Sequence, residues 1–201
     1  MINREQSTNS IDYTSLKQAF DNCPLLPIDG KQFVVNSLTE QVPATEPLVL
    51  AEAAKSIISM GNFSEATKIV GEEEKGAILV AAVSLSTNLP FGMARWYPNG
   101  LDGQIVVPFD CEYYEGKLYL NGVEPGEKVI IVDDMVSTGG TLIGLIEAVE
   151  SAGAEIVDIV CLAEKLEYEG VAKVKAATGH DVKSVVKLSV TGETSKVVSL
   201  F

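Results

Sequence analysis

The sequence is poor in the residues that build metal centres, redox sites and disulfide frameworks. Its 201 residues include one histidine and three cysteines, Cys23, Cys111 and Cys161, which form no CxxC pair. That number and spacing argue against structural zinc or a disulfide framework, and they indicate a reducing compartment such as the cytoplasm. The chain also lacks a Walker A sequence and a GxGxxG fingerprint, so the two common glycine-rich nucleotide-binding motifs are excluded.

Positive charge is scarce as well. Fifteen lysines and arginines face 28 aspartates and glutamates, which gives a net charge of −13 with histidine neutral. Such a balance argues against binding nucleic acid or an anionic membrane through a basic surface. The first ten residues have no apolar core, so we expect no secretory signal there. The longest uncharged run, residues 76–94, contains Ser84, Asn88 and Pro90, and it predicts a buried helix, a turn and a strand, not a membrane span.

Apolar spacing predicts strands that alternate with helices along most of the chain. Helices are predicted at 48–60 (with Thr45 as the N-cap), 77–87, 141–152 and 171–178, and strands at 31–35, 68–70, 91–96, 128–132, 156–162, 182–188 and 196–200. This alternation is typical of an α/β fold with a parallel sheet flanked by helices on both faces. Residues 1–45 form a polar tail and a small irregular lobe, and 46–201 form the core.

The most informative segment is Val129–Thr141, which reads VIIVDDMVSTGGT. An apolar strand ends in two carboxylates, Asp133 and Asp134, and a short loop of hydroxyls and glycines then opens a helix. Unpaired N–H groups and the positive end of the helix dipole make such a loop a phosphate cradle. Two carboxylates beside it would repel a bare phosphate, but they can accept hydrogen bonds from sugar hydroxyls or hold a hydrated Mg²⁺. The pattern therefore predicts a phosphorylated ribose, and a plain strand–turn–helix leaves the paired carboxylates unexplained.

This segment resembles the phosphoribosyl pyrophosphate (PRPP) motif of type I phosphoribosyltransferases, and the resemblance extends over about residues 45–190. The approach to the motif, residues 116–128, is similar to that of the adenine-phosphoribosyltransferase-like purine branch, which includes archaeal hypoxanthine and bacterial xanthine enzymes. The resemblance implies the type I phosphoribosyltransferase fold, with the N-terminal lobe as a small hood. It also implies transfer of phosphoribosyl from PRPP to a purine base, with Mg²⁺ as cofactor and a homodimer as the assembly.

The resemblance also implies roles for individual residues. Asp133 and Asp134 would bind the ribose hydroxyls and hold the metal through water molecules. The 5′-phosphate would lie on the loop formed by Ser137, Thr138, Gly139, Gly140 and Thr141. Pyrophosphate would be bound by a loop of Glu74, Lys75 and Gly76, where the family often has a non-proline cis peptide, and by Arg95 at the end of its strand. Residues 97–117, a charged stretch punctuated by glycines, would be a flexible loop that closes over the reaction centre.

Several positions depart from the family patterns. Ser137 stands where the hypoxanthine–guanine branch has a catalytic aspartate, so that branch's proton chemistry is not expected. Glu112 and Glu115 are the candidates for the proton-handling glutamate of the adenine branch, or else they are solvated loop carboxylates. Trp96 replaces a basic residue and either stacks on the base or packs. Lys165 either donates to a purine oxygen, which would favour an oxopurine over adenine, or is a surface lysine at a strand end.

Two other functions remain open at this point. One is a regulator that senses PRPP or purines with the same fold, although the chain has no basic surface or helix-turn-helix pattern of the kind such regulators use. The other is an enzyme acting on a pyrimidine such as orotate or uracil, for which the tail from Tyr168 onward offers no motif.

Overall fold

The computed structural model describes residues 13–111 and 115–201. The helices are α1 (Thr14–Phe20), α2 (Pro47–Met60), α3 (Ala77–Thr87), α4 (Gly140–Ser151) and α5 (Gly170–Thr178). The strands are β1 (Leu25–Ile28), β2 (Lys31–Val34), β3 (Lys68–Glu72), β4 (Phe91–Arg95), β5 (Ile105–Asp110), β6 (Glu115–Asn121), β7 (Lys128–Val136), β8 (Glu155–Lys165), β9 (Lys183–Ser189) and β10 (Lys196–Leu200). None of the described helices has the length and apolar character needed to span a bilayer.

Eight strands form one sheet in the order β10-β9-β8-β7-β3-β4-β6-β5. The five central strands are parallel, whereas β10 and the β5–β6 ribbon pair antiparallel at the two edges. The predicted α/β fold is therefore confirmed, with a mixed sheet in place of an all-parallel one. From β3 the chain moves through α3 to β4 on one side, and from β7 through α4 to β8 on the other. The boundary between β3 and β7 is thus a topological switch point, where open α/β sheets bind ligands.

Helices cover both faces of the sheet, and strand β7 shows how the sequence achieves this. Successive side chains of a strand point to opposite faces. Ile130 and Val132 join the core beneath α1, α2 and α3, whereas Val129 and Ile131 join the core beneath α4 and α5. An uninterrupted apolar run is what a strand buried on both faces requires.

The strand and helix limits differ from the predictions in a few informative places. Strand β7 continues through Asp133 and Asp134 to Val136, because Met135 and Val136 still pair with β8. Helix α2 begins after Glu46, not after Thr45, whose hydroxyl donates to the Ser37 carbonyl instead. Helix α1 was not predicted. Its N-terminus depends on the carboxylate of Glu52 in α2, which accepts the Leu16 N–H at 2.8 Å.

The N-terminal lobe contains α1 and the β1–β2 hairpin, which is a separate two-stranded sheet. Its chain is attached to the C-terminal segment. The Asn22 N–H donates to the Ser195 carbonyl at 2.8 Å, and the Ser195 N–H donates to the Cys23 carbonyl at 2.9 Å. Strand β2 contacts residues at or just after the carboxyl ends of β3 and β8, through Phe33 with Lys75 and Gln32 with Lys165, so the lobe closes one side of the switch point.

Candidate active site

Three buried carboxylates meet at the switch point. Asp133 and Asp134 come from β7, and Glu72 is the last residue of β3; carboxylate oxygens from all three lie within 4.8 Å of one another. Burial, reinforced by the negative charges of Asp134 and Glu72, raises the pKa of Asp133 well above its usual range. Burial and the charge of Glu72 also raise the pKa of Asp134, to about 7, against the opposing effect of Lys75. The cluster thus has more negative charge than it can stabilise alone.

A set of hard oxygen donors at this spacing fits Mg²⁺, which prefers carboxylate and water ligands. The predicted ligands Asp133 and Asp134 belong to the set, and the sequence analysis missed Glu72. Glu72 is the first of three consecutive glutamates, Glu72 to Glu74, a pattern that is typical of a solvated loop. In the structure, however, the Glu72 side chain is only 3 % exposed.

The predicted phosphate loop joins β7 to α4. Gly139 has φ +87°, in the left-handed region, and a Cβ there would lie 2.8 Å from Val174 Cγ2. A Cβ on Gly140 would lie 1.5 Å from the carbonyl oxygen of Asp110, so β5 packs directly on the start of the helix. No side chain of the described chain caps α4, and the buried Oγ of Ser137 has no hydrogen-bond partner within it. Uncapped N–H groups beside an unpaired hydroxyl suit a phosphate group.

The second loop, residues 73–76, joins β3 to α3. Its N–H groups point back to the Glu72 carboxylate, which accepts those of Glu74, Lys75 and Gly76 at 2.8, 2.7 and 3.0 Å. The cis peptide implied by the resemblance is not found here: within the described chain, only Val42–Pro43 is cis. A Cβ on Gly76 would lie 3.1 Å from Asp133 Oδ1, so this loop packs closely against the carboxylate cluster.

Each cation of this second loop region has a carboxylate partner. Lys75 Nζ lies 3.0 Å from Glu40 of the N-terminal lobe and 3.8 Å from the centre of the Phe33 ring. The guanidinium of Arg95 lies 2.5 Å from Glu73. Lys75 and Glu74 line the site cavity with both loops and the three carboxylates, but Arg95, Gly76 and Glu115 are not among the described residues that line it.

Lys165 lies at the end of β8 on the side of the N-terminal lobe. It is only 2 % exposed, so the alternative of a surface lysine is wrong. Its ammonium donates to the Gln32 carbonyl at 2.9 Å and lies 5.6 Å from the centre of the Tyr168 ring. The Gln32 N–H donates in turn to the Tyr168 hydroxyl at 2.6 Å. Strand β2 is thus anchored at one residue through both of its backbone polar groups.

The remaining predicted residues lie at the opposite, β5–β6 side. Trp96 packs on Phe109, with ring centres 5.3 Å apart, and also lines the cavity, so packing does not exclude contact with a ligand. Glu115 begins β6, opposite Asp110, and is exposed. Glu112 lies outside the described residues.

Comparison with known proteins agrees with this geometry. Residues 45–191 match the family model of the phosphoribosyl transferase domain. The chain belongs to the phosphoribosyltransferase family. Over 185 residues it is 40% identical to the hypoxanthine/guanine phosphoribosyltransferase of Methanocaldococcus jannaschii, covering 92% of this chain and 99% of that protein. The corresponding enzyme of Methanobacterium lacus is 39% identical over 178 residues, covering 89% and 92% of the two chains.

Solved phosphoribosyltransferase structures show the same fold. Adenine phosphoribosyltransferase from Rhodothermus marinus superposes with a TM-score of 0.73 at 27% identity, covering 88% of this chain and all of that one. APRTase from Giardia lamblia, solved with 9-deazaadenine, gives a TM-score of 0.76 at 24% identity, covering 89% and 98% of the two chains.

Proposed function

We propose that this protein is a purine phosphoribosyltransferase that transfers the 5-phosphoribosyl group of PRPP to a purine base and releases pyrophosphate. The observation that carries the proposal is the position of Asp133 and Asp134 between two helix N-termini, those of α3 and α4. PRPP has matching chemistry, because its ribose hydroxyls lie between a 5′-phosphate and a 1-diphosphate. The hypoxanthine/guanine phosphoribosyltransferases that match nearly the whole chain support the same activity.

In this proposal the carboxylates of Asp133 and Asp134 accept hydrogen bonds from the ribose hydroxyls. The loop Ser137–Thr141 holds the 5′-phosphate through backbone N–H groups and the Ser137 hydroxyl. The loop Glu74–Gly76, with Arg95, receives the diphosphate. As the bond between C1 and the diphosphate breaks, negative charge collects on the leaving group and positive charge on the ribose. Donors fixed at one end and carboxylates fixed beneath the ring stabilise that separation of charge.

Mg²⁺ is the proposed cofactor, held by Asp133 and Asp134; the Glu72 oxygens nearby accept the N–H groups of loop 73–76 and are not proposed as metal ligands. When bound, the metal supplies positive charge to the leaving diphosphate. The chain's own residues supply little there, since Lys75 and Arg95 are each paired with a carboxylate.

The purine would lie between the N-terminal lobe and the β5–β6 ribbon, among Phe33, Trp96, Met135 and Lys165. Three of these side chains are apolar or aromatic, which suits a flat base. Lys165 is the only charged group of the four, and an ammonium can donate to a purine oxygen but cannot accept from the amino group of adenine. We therefore propose an oxopurine as the preferred base.

Three further features belong to the proposal. The lobe within residues 1–45 acts as a hood over the base. The segment predicted as a flexible loop, residues 97–117, instead contains β5 and the start of β6, and in this proposal that ribbon covers the reaction centre. Glu112 or Glu115 handles the proton released from the base. The protein works as a homodimer in the cytoplasm, where cysteines that form no disulfide, as in the described chain, would remain reduced.

The experiment is a spectrophotometric panel with PRPP, Mg²⁺ and adenine, hypoxanthine, guanine, xanthine, orotate or uracil. We expect turnover with at least one oxopurine, and turnover with no base would refute the proposal. Lys165→Met should lower kcat/KM for the oxopurine by about tenfold or more, because one charged hydrogen bond contributes ~1.5–3 kcal/mol. The exposed strand-end lysine in Lys196→Met is the matched control and should leave kcat/KM unchanged. Equal losses for oxopurine and adenine in Lys165→Met would refute the proposed preference.

A further inference from the structure

Three carboxylates of this chain already occupy the groups that would receive the diphosphate. Glu72 accepts the three N–H groups of loop 73–76. Glu73 pairs with Arg95 at 2.5 Å, and Glu40 of the N-terminal lobe pairs with Lys75 at 3.0 Å. An incoming diphosphate would therefore compete with side chains of the protein itself for these donors.

Glu72 is the most firmly held of the three. It is 3 % exposed, and its two oxygens share three N–H donors of the loop that leads into α3. The charge-assisted bonds it makes are of the same kind that a phosphate oxygen would make in that place. The Glu72 carboxylate thus already occupies the N–H groups of the loop that leads into α3.

The loop that leads into α4 is different. Neither α3 nor α4 has a side-chain cap within the described chain, but the α4 loop has a buried hydroxyl, that of Ser137, which lacks a partner there. A 5′-phosphate can therefore bind to the α4 loop without breaking an internal hydrogen bond. A diphosphate cannot reach the N–H groups of the α3 loop until the carboxylate of Glu72 has moved away.

We propose that Glu72 is a built-in competitor for the diphosphate of PRPP, which lowers the affinity of the site for pyrophosphate and PRPP but not for ligands that carry only the 5′-phosphate. This inference rests on the proposed function, in which loop 73–76 receives the diphosphate. Glu72 acts as a positioning residue: it holds the loop in its ligand-free arrangement and repels a second anion, with Asp133 and Asp134 within 4.8 Å of it.

The test compares Glu72→Gln and Glu72→Ala with the wild-type protein by titration calorimetry in Mg²⁺. Glutamine keeps the size of the side chain and removes its charge, whereas alanine also frees the three N–H groups. We expect the Kd for pyrophosphate and for PRPP to fall by about tenfold in Glu72→Gln and further in Glu72→Ala, as loss of one charge-assisted competitor predicts. The Kd for ribose 5-phosphate, the probe of the α4 loop, should change by less than about twofold.

Glu52→Gln is the matched control, because Glu52 is another buried glutamate that accepts a backbone N–H at a helix start, but that N–H belongs to Leu16 of α1 and not to loop 73–76. It should leave all three affinities unchanged. In kinetics, Glu72→Gln should lower KM for PRPP and leave KM for the base unchanged, a split that loss of stability alone would not produce. Should alanine prevent folding, the glutamine variant still decides the question.

Two negative results have different meanings. If the wild-type protein binds ribose 5-phosphate but Glu72→Gln binds pyrophosphate with equal or weaker affinity, Glu72 assists the diphosphate or ignores it, and this inference is wrong. If the folded wild-type protein binds neither ribose 5-phosphate nor PRPP, the proposed function itself fails, and the inference falls with it.

Discussion

The contact between Gly140 and the end of β5 leads to a sharp prediction for Gly140→Ala. A Cβ at this position would lie 1.5 Å from the carbonyl oxygen of Asp110 and 2.6 Å from its carbonyl carbon. Both atoms belong to the backbone, so no side-chain rotation relieves the overlap. The helix start and the strand end would have to separate by about 2 Å before ordinary van der Waals contact is restored. Because Gly140 also belongs to the phosphate loop, that separation would displace the loop.

The expected cost follows from two opposing effects. Overpacking of a well-packed contact costs ~1–3 kcal/mol and more where backbone must move, whereas replacing glycine by alanine in a helix returns at most ~1 kcal/mol. We expect a net loss of about 2 kcal/mol, which for a chain of this size lowers Tm by ~4–8 °C. The affinity for ribose 5-phosphate should fall by at least about tenfold, since the N–H groups no longer converge on the phosphate.

Calorimetric melting and ligand titration measure the two effects separately. Gly192→Ala is the matched control, because the nearest atom to its added Cβ is the Thr194 carbonyl oxygen at 3.5 Å, an ordinary contact. It should change stability by less than ~0.5 kcal/mol. If Gly140→Ala melts and binds ribose 5-phosphate as the control does, then β5 does not pack on the phosphate loop as described, and the proposed site geometry is wrong.

Two other substitutions test the electrostatics of the site. Ser137→Ala should leave Tm unchanged or slightly raised, because the buried Oγ has no partner within the described chain. The same substitution should weaken ribose 5-phosphate binding by about fivefold. A clear loss of stability would show that the hydroxyl has a structural partner. The double variant Asp133→Asn/Asp134→Asn should abolish turnover and, in metal-free buffer, be more stable than wild type above about pH 7. Burial and neighbouring carboxylates raise the pKa values of both aspartates in the folded protein, that of Asp134 from 3.8 to about 7. Between the unfolded and the folded pKa, which for Asp134 are 3.8 and about 7, the folded wild type therefore binds more protons than the unfolded chain. The wild type loses stability as the pH rises through that range. The stability advantage of the variant should vanish below about pH 4, and equal stability of the two proteins at pH 8 would contradict this reasoning.

The spacing of apolar residues predicted most elements of the core, because each of these helices and strands keeps a single helical or strand period along its length. Helix α3 begins and ends where the apolar spacing predicts, at Ala77 and Thr87, and β10 likewise runs from Lys196 to Leu200. Prediction failed where an element depends on a distant partner. The seven residues of α1 are too few to be stable alone, and their N-terminus is satisfied by Glu52, 36 positions after Leu16.

The same distinction applies to the site. The carboxylate pair and the loop Ser137–Thr141 are contiguous in the chain, so their chemistry could be predicted from residue types and order. Glu72 could not be identified in this way, because its role depends on the sheet order that sets β3 beside β7. A glutamate run is usually solvated, and only the tertiary structure shows that the first of the three is buried against Asp133 and Asp134.

The charge balance of the site connects these observations. A chain with a net charge of −13 that must bind a polyanion is expected to concentrate its cations at the site. Instead, the two cations beside the α3 loop are neutralised by Glu40 and Glu73, and three more carboxylates are buried next to them. Attraction of PRPP by a positive protein surface is therefore not available as a driving force. In the proposed function, the positive charge has to arrive with the ligand as Mg²⁺, and affinity for PRPP should fall much more steeply on removal of the metal than affinity for ribose 5-phosphate, whose phosphate relies on the N–H groups of α4.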